Sequence, residues 1–489
     1  MISSILQRLA LAGGGLLLGV IIKRRYFSPI SDIPGPFVAS FSRLWQLYHI
    51  FDGHTELATI KAHEKYGPFV RISHLEVSVS DPDAIKALLV APLRKGSWYQ
   101  VFNLPDRRYV NQMGELDPKR HIQKQRNVAP GYAFSNVIQS EPYIDNLIRK
   151  MEENFDKYTK EGKPIEFDHW FNYFGFDVLG EVTFSKAFGF LEQARDIGGA
   201  IANTRFLGLY IAVIGHYYWL HDILLANPLI NYFNLAPSNH IFDTALAAVE
   251  ARKNNPDVRK DMMEQWLQVR RAHPERMEEK ELLAGAVVNV GAGADTISTT
   301  LQSFFYHLLR NPEAMAKVRA EVDAAAAKGE LSGIPSYAET QKLPYLQACI
   351  KETYRHFPPV AFGLPRVVPD EGLTIGNHKF SKGVILSINP HVIHKNKEIF
   401  GADADKFNPD RWMVDTERWR AMDKYIITFG AGYNQCPGRH LAHLEVSKVA
   451  ATLLRDFDVE QVTPGQSWTF ETHFTAVPYN WPCRVRRRR

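Results

Sequence analysis

The sequence is short of cysteine. Its 489 residues carry three, Cys349, Cys436 and Cys483, far apart and in no C-x-x-C pair. That excludes a disulfide framework and a structural zinc site. No N-x-S/T sequon occurs, which fits a chain whose bulk faces the cytosol. Basic residues are scarce outside the two ends. Of 58 lysines and arginines, three lie at Lys23, Arg24 and Arg25 and five at Arg484 and Arg486 to Arg489; without them 50 basic residues stand against 53 acidic ones. The body is therefore slightly acidic, and a pI of 8.8 gives no case for a nucleic-acid-binding face. Long hydrophobic runs are equally few, and a mean hydropathy of −0.24 excludes a polytopic membrane protein. What is present, 45% apolar and 23% charged residues, is ordinary globular composition, so disorder, collagen and a pure coiled coil are excluded too.

The long run that does occur spans Ile5 to Ile22, interrupted by Gln7 and Arg8. At ~1.5 Å per residue it reaches roughly 27 Å, close to a bilayer core of about 30 Å. The basic cluster follows the run and no small-residue cleavage site lies beyond it, which argues for an uncleaved anchor over a signal peptide. The positive-inside rule then puts Lys23 to Arg25 on the cytosolic side. The expected organisation is an anchor with its basic flank over 1–25, a Pro-rich hinge over 26–36, one catalytic domain over 37–483 and a solvated basic tail over 484–489. No Gly/Ser linker or repeat divides the middle.

Short strand-like runs (Phe69 to Ile72, Val77 to Ser80, Leu373 to Ile375, Val384 to Ile388) sit in a mainly helical pattern, with helices expected over Ile144 to Asp156, Glu281 to Arg310, Pro312 to Lys328 and Pro344 to Phe357. The second is apolar or small nearly all round, so it belongs in the middle of a large core. The fold class is mainly α with a minor β part. Phe206 to Phe233 is aromatic, with Asp222 as its one formal charge. It reads as an interfacial surface loop or as core packing.

Four segments carry chemistry. Phe429 to Arg439 (FGAGYNQCPGR) surrounds a lone cysteine with glycines. A thiolate bound to iron needs a tight backbone turn and amide N–H groups aimed at the sulfur. A helix beginning at Arg439 would favour the anion. Ala292 to Thr296 (AGADT) places an acid beside a hydroxyl inside the apolar helix, costly unless paired or functional. Glu352 and Arg355 share a helix face at i,i+3. Phe407 to Trp412 (FNPDRW) supplies a second arginine, Arg411.

In this order and at these separations the segments resemble the cytochrome P450 family, over nearly the whole chain. The cysteine loop is similar to its F-G-x-G-x-R-x-C-x-G signature, AGADT to its A/G-G-x-D/E-T motif, Glu352 and Arg355 to E-x-x-R, and Arg411 to the arginine of P-E-R-F. The resemblance implies a P450 fold behind one N-terminal transmembrane helix. It makes Cys436 the axial ligand of a haem b iron, whose electron donation favours O–O cleavage. Phe429, Gly430, Gly432, Asn434 and Gly438 would shape the haem loop. Arg366 would pair with a propionate, and Asp295 and Thr296 would deliver protons. Glu352, Arg355 and Arg411 would form a buried ion-pair triad. Two departures stand out. Asn434 occupies a position where the family usually has Arg or His. His121 replaces the tryptophan of a W-x-x-x-R pattern, with Lys124 or Arg126 as the nearby cation. Some fungal members read G-A-G-Y-N-x-C-P-G-R, a branch associated with secondary metabolites.

Substrate contacts follow from family position alone: Trp98, Phe102, Phe206, Tyr210, Val288, Ala292, Val360, Phe362 and Phe474, chiefly apolar. The resemblance implies a single-pass protein of the endoplasmic reticulum with its catalytic domain in the cytosol. Electrons would come from NADPH through the flavins of a separate NADPH–cytochrome P450 reductase, with cytochrome b5 as an optional donor. The implied reaction is oxidation of a hydrophobic small molecule. The alternative is desaturation, ring formation or rearrangement on the same fold.

Overall fold

The computed structural model describes residues 2–104, 108–233, 240–254 and 259–488. It is organised around one helix, Glu279–Leu309, of 31 residues. A capping box between Glu278 and Glu281 starts it, and its second half is buried on almost every side, as its apolar sequence requires. Small residues let a second helix, Phe167–Phe184, lie close against it. A Cβ on Gly175 would stand 3.0 Å from the Ala294 Cα and carbonyl oxygen, so a side chain there would press the two backbones apart. The helices Glu141–Lys160, Pro312–Ala327, Pro344–His356 and Arg439–Asp456 complete the main core. The four helices read from the sequence are all present, with ends shifted by a few residues.

The β part is small and peripheral. Strands β1 (Phe69–Arg71), β2 (Glu76–Val79), β3 (Leu364–Val367) and β6 (Ile385–Ile388) form one sheet in the order β1-β2-β6-β3, parallel between β2 and β6 and antiparallel elsewhere. Three antiparallel pairs accompany it: β4 (Leu373–Ile375) with β5 (His378–Phe380), β7 (Phe457–Gln461) with β10 (Cys483–Arg487), and β8 (Thr469–His473) with β9 (Thr475–Tyr479). The Thr299 hydroxyl donates to the Ala476 carbonyl at 2.6 Å and fastens β9 to the central helix.

Three segments differ from expectation. The C-terminal arginines are not a solvated tail: β10 pairs residue for residue with β7. Arg487 donates to Asp156 at 2.8 Å and Arg488 grips Asp323 with both terminal nitrogens at 2.7 and 2.8 Å; Arg489 lies outside the described residues. Local acidic residues on three other elements decide this, and sequence spacing does not show them. The 26–36 segment is docked and not a free hinge. Ile30 and Ile33 are buried, and Arg71 N donates to Pro34 O at 2.8 Å. Phe206 to Phe233 is helical, in Ala200–Ile214, Tyr218–His221 and Pro228–Tyr232. It packs inward through Ile211, Ala212 and His221, as core packing expects, and shows Trp219, Ile223, Leu229 and Phe233 to solvent from helices where a surface loop was expected.

Candidate active site

The cysteine loop is built by its glycines. Gly432 has φ +60°, and a Cβ on it would meet Val90 Cα at 2.6 Å, so a side chain there would push the loop off the segment it rests on. Cys436 N donates to Phe429 O at 2.7 Å and closes the loop. Gly438 ends it at the first turn of the helix Arg439–Asp456. Phe429 anchors it against Tyr354 and His443, with ring centroids 5.0 and 5.1 Å away. Cys436 is solvent-accessible although protein packs densely around it. Burial pushes its thiol up from the ordinary value; the N–H of Gly438, the Arg439 charge and the Arg439 N–H oppose this and favour the thiolate.

Beside the loop stand buried groups with too few partners. Both polar atoms of the Asn434 amide are buried without a hydrogen bond. Arg366, 2% exposed, donates from Nη1 to Tyr99 Oη at 3.1 Å and to Pro365 O at 3.0 Å, while its Nε has no partner. Lys95 sits next to it through a β-bridge between the two backbones. Lys95 Nζ reaches the Gln112 and Met113 carbonyls at 3.0 and 3.1 Å and His121 Nδ1 at 3.1 Å. His121 Nδ1 lies 2.7 Å from Gln112 O, and its Nε2 lies 3.2 Å from Tyr433 O in the cysteine loop. Burial, and then the Lys95 charge, pushes His121 down to about 4, so it is neutral. Burial and Arg366 lower Lys95 strongly. Among the described residues neither Lys95 nor Arg366 has a carboxylate within ion-pair distance.

Two buried cations without a counter-ion are costly, and two carboxylates placed there would satisfy them. That is what the propionates of haem present, so the residues fit the cofactor. The expected cation beyond His121 is not on its helix. Arg126 is exposed, five residues and about 140° further round. Lys124 is engaged by Val110 O and Glu281. Lys95 and Tyr99 were not legible in the sequence, because Lys95 is placed by an isolated β-bridge and Tyr99 by a short 3-10 helix, both meeting Arg366 from far along the chain.

The central helix carries Asp295 and Thr296. The Thr296 hydroxyl donates to Ala292 O at 3.0 Å and to Gly293 O at 3.1 Å. Asp295 is buried, and burial raises its carboxyl from 3.8 to about 6, with Arg205 pulling the other way. An acid half-ionised near neutrality can both take and release protons. Of the substrate-contact candidates, Trp98, Phe102, Phe362, Phe474 and Tyr210 share one apolar cluster. Trp98 stacks on Phe362 at 5.7 Å, and Phe102 meets Phe474 edge-on at 5.3 Å. Phe474 is held at φ +95°, a strained setting for a bulky residue. It is fixed by Ala361 N donating to its carbonyl at 3.0 Å, beside the bridge of Val360 to Thr475. Ala292 and Val288 lie on the central helix outside that cluster, and Phe206 is largely exposed.

The Glu352–Arg355 pair is fully buried and fully used. Arg355 holds Glu352 through Nε and Nη2 at 2.8 and 2.7 Å and gives its remaining protons to the His394, Ala404 and Lys406 carbonyls. Glu352 also accepts from Asn408 N at 2.8 Å and Trp412 Nε1 at 2.9 Å. Arg411 joins the pair as the expected third member, its Nε 3.6 Å from Glu352, while its Nη1 donates to Asp403 at 2.8 Å. Trp412 thus supplies a hydrogen bond to Glu352 that the motif reading missed.

Comparison with known proteins decides the family. The cytochrome P450 family model matches residues 34–479. This chain belongs to the cytochrome P450 family. Its relatives include a cytochrome P450 monooxygenase of Aspergillus terreus, 35% identical over 91% of this chain and 94% of the relative. Two others are cytochrome P450 monooxygenase cicH of Emericella nidulans, 30% identical, and gsfF of Penicillium aethiopicum, 31% identical, each over 94% of both chains. P450 membership makes this an oxidoreductase of the monooxygenase class with a haem-thiolate centre.

Proposed function

We propose that this P450 is a membrane-anchored monooxygenase that oxidises a hydrophobic small molecule, a fungal secondary metabolite, with electrons from NADPH–cytochrome P450 reductase and cytochrome b5 as an optional donor. The observation that carries this reading is the convergence of the Cys436 loop with the buried, counter-ion-poor pair Lys95 and Arg366. Haem b held there would supply the redox chemistry for dioxygen activation. Cys436 Sγ would bind its iron, turned toward the thiolate by the Gly438 and Arg439 N–H groups. Lys95, Arg366 and Tyr99 would hold the carboxylates, with Asn434 and neutral His121 as hydrogen-bonding neighbours. Asp295 would bring protons from the interior and Thr296 would orient a water, its hydroxyl switching between the Ala292 carbonyl and the site. Trp98, Phe102, Phe362 and Phe474 would exclude bulk water and select an apolar substrate.

Anchoring is supported by the helix Ile2–Tyr26. Among the described residues it is the one helix long and apolar enough to cross a membrane, over Ile5–Tyr26. Its basic last turn favours a cytosolic catalytic domain at the endoplasmic reticulum. Exposed apolar residues at Phe37, Leu44, Tyr48 and Phe51, on a segment packed beside Ala200–Ile214, give a surface that would rest on lipid. Metabolites of cells expressing the chain with reductase under isotopically heavy dioxygen test the reaction. A product one heavy oxygen atom richer than its precursor is expected. A product lacking the label and two hydrogens poorer would assign desaturation instead.

A further inference from the structure

At the foot of the N-terminal helix lies a cavity of about 360 Å3, lined by Arg24, Ser42, Arg43, His74 and His216 among others. Arg71, on β1 and only 1% exposed, is bonded to the carbonyls of two residues of that lining, Arg24 and His74. Its Nη2 donates to the Arg24 carbonyl at 2.7 Å, to Ser28 Oγ at 2.9 Å and to the His74 carbonyl at 3.2 Å. These acceptors are all neutral. Arg71 Nη1 is buried with no partner, and so are Arg25 Nε, His74 Nδ1 and His216 Nε2. Among the described residues no carboxylate lies within ion-pair distance of Arg71.

The nearby acids do not supply the missing charge. Glu76 is taken by Arg43 at 2.9 Å and Gln46 at 3.2 Å. Asp32 is well exposed and lies 3.7 Å from His378. Burial, and then repulsion from Arg25, pushes Arg71 down to about 10, and the attraction of exposed Asp32 offsets this only in part. Burial, and then Arg24, Arg43 and Arg71, pushes His74 down to about 4. Two guanidinium groups, Arg24 and Arg43, therefore line the space, Arg71 is bonded to the backbone of its lining, and the one carboxylate beside it, Glu76, is committed to Arg43. A buried arginine without a counter-ion is unstable unless an anion completes it.

The place of the cavity says which anion. Arg24 is in the last turn of the apolar helix, the level at which an anchored helix meets lipid headgroups. Leu44, on the rim, is exposed, with Phe37 and Tyr48 exposed on the same segment, so acyl chains have an apolar path away from the cations. We propose that this cavity binds the phosphate of an anionic glycerophospholipid, with Arg24, Arg43, Arg71 and His74 as donors. Arginine forks suit several phosphate oxygens at once. Arg43 also touches His216 Nδ1 at 3.2 Å, in the turn that follows the helix Ala200–Ile214. A bound phosphate would thus brace that turn against the N-terminal segment. The inference rests on the proposed membrane anchoring, but a soluble short-chain lipid probes the site without insertion.

The test uses the full-length holoenzyme in detergent, titrated with dihexanoyl phosphatidic acid, dihexanoyl phosphatidylcholine or inorganic phosphate. Thermal unfolding and native mass spectrometry are the readouts. Phosphatidic acid is expected to raise Tm and to be retained one-to-one. R71Q should weaken it by about tenfold or more, and the double variant R24Q/H74Q, whose residues are closer to the surface, serves if R71Q does not fold. Equal binding of phosphatidylcholine, or unchanged binding in both variants, overturns the site. Inorganic phosphate matching phosphatidic acid, with loss in the variants, overturns the lipid and leaves a free-phosphate site. Membrane fractionation of the same chain reads anchoring separately, so a protein that partitions into membranes yet ignores phosphatidic acid has lost only this inference.

Discussion

At Glu352 and Arg355 every charged atom has a partner; around Lys95, Arg366 and Asn434 the cations have no carboxylate, and the Arg366 Nε and both Asn434 amide atoms have no hydrogen bond. Both clusters are buried. The difference separates two uses of polar residues in a core. A cluster that satisfies itself holds the fold, here by pinning the Pro344–His356 helix to the carbonyls of His394, Ala404 and Lys406. A cluster left short of partners is a binding surface, and the chemistry it lacks describes its ligand: carboxylates, beside the cysteine loop.

The comparison is sharpest when one group is removed from each side. E352Q leaves Arg355 buried and unpaired, which should cost about 3–5 kcal/mol. Denaturant unfolding is expected to show a sharply lowered midpoint, with little protein recovered folded. A midpoint within error of the parent would mean that the cluster does not hold the fold.

Removal from the unsatisfied side should act in the opposite direction. Asp295 has its carboxyl raised on folding from 3.8 to about 6. Across that window the folded chain keeps a proton that the unfolded chain has lost. Stability therefore falls as pH rises from 3.8 to 6, and the deficit is complete above it. D295N removes the deficit, so it should be more stable than the parent at pH 7, by ~3 kcal/mol at the limit, and equal to it near pH 4. Thermal unfolding of both proteins across that range is the check; a variant less stable at pH 7 would reverse the assignment.

K95Q takes away a buried cation that lacks a counter-ion. The apoprotein should unfold at the same midpoint or higher. Haem should leave faster, by an amount equivalent to roughly 1.5–3 kcal/mol for a lost charged hydrogen bond. Transfer of haem to an apoglobin measures this. Unchanged transfer would remove Lys95 from the cradle. T296A is the mildest. Its hydroxyl bonds only its own helix, so stability should move by less than about 0.5 kcal/mol, while product formed per NADPH consumed should drop. Constant coupling would refute its role in proton handling.

What was legible in the sequence was local. The long apolar helix, the glycine-bounded cysteine and the Glu352–Arg355 spacing each lie within one element, where periodicity and turn chemistry act directly. What was not legible depends on strands meeting. Lys95 becomes a partner of Arg366 only through a β-bridge between distant segments. Trp412 reaches Glu352 because a short turn folds onto the Pro344–His356 helix. The terminal arginines become structural only because β7 lies beside them. Arg126 was read as a cation near His121 from proximity in sequence, and helix geometry turns it outward.

The central claim is that Cys436 is the thiolate ligand, and the carbon monoxide difference spectrum of the reduced protein tests it most directly. The parent should give the Soret band of a thiolate-ligated haem, and C436A should lose that band. A C436A protein that keeps it would contradict the account.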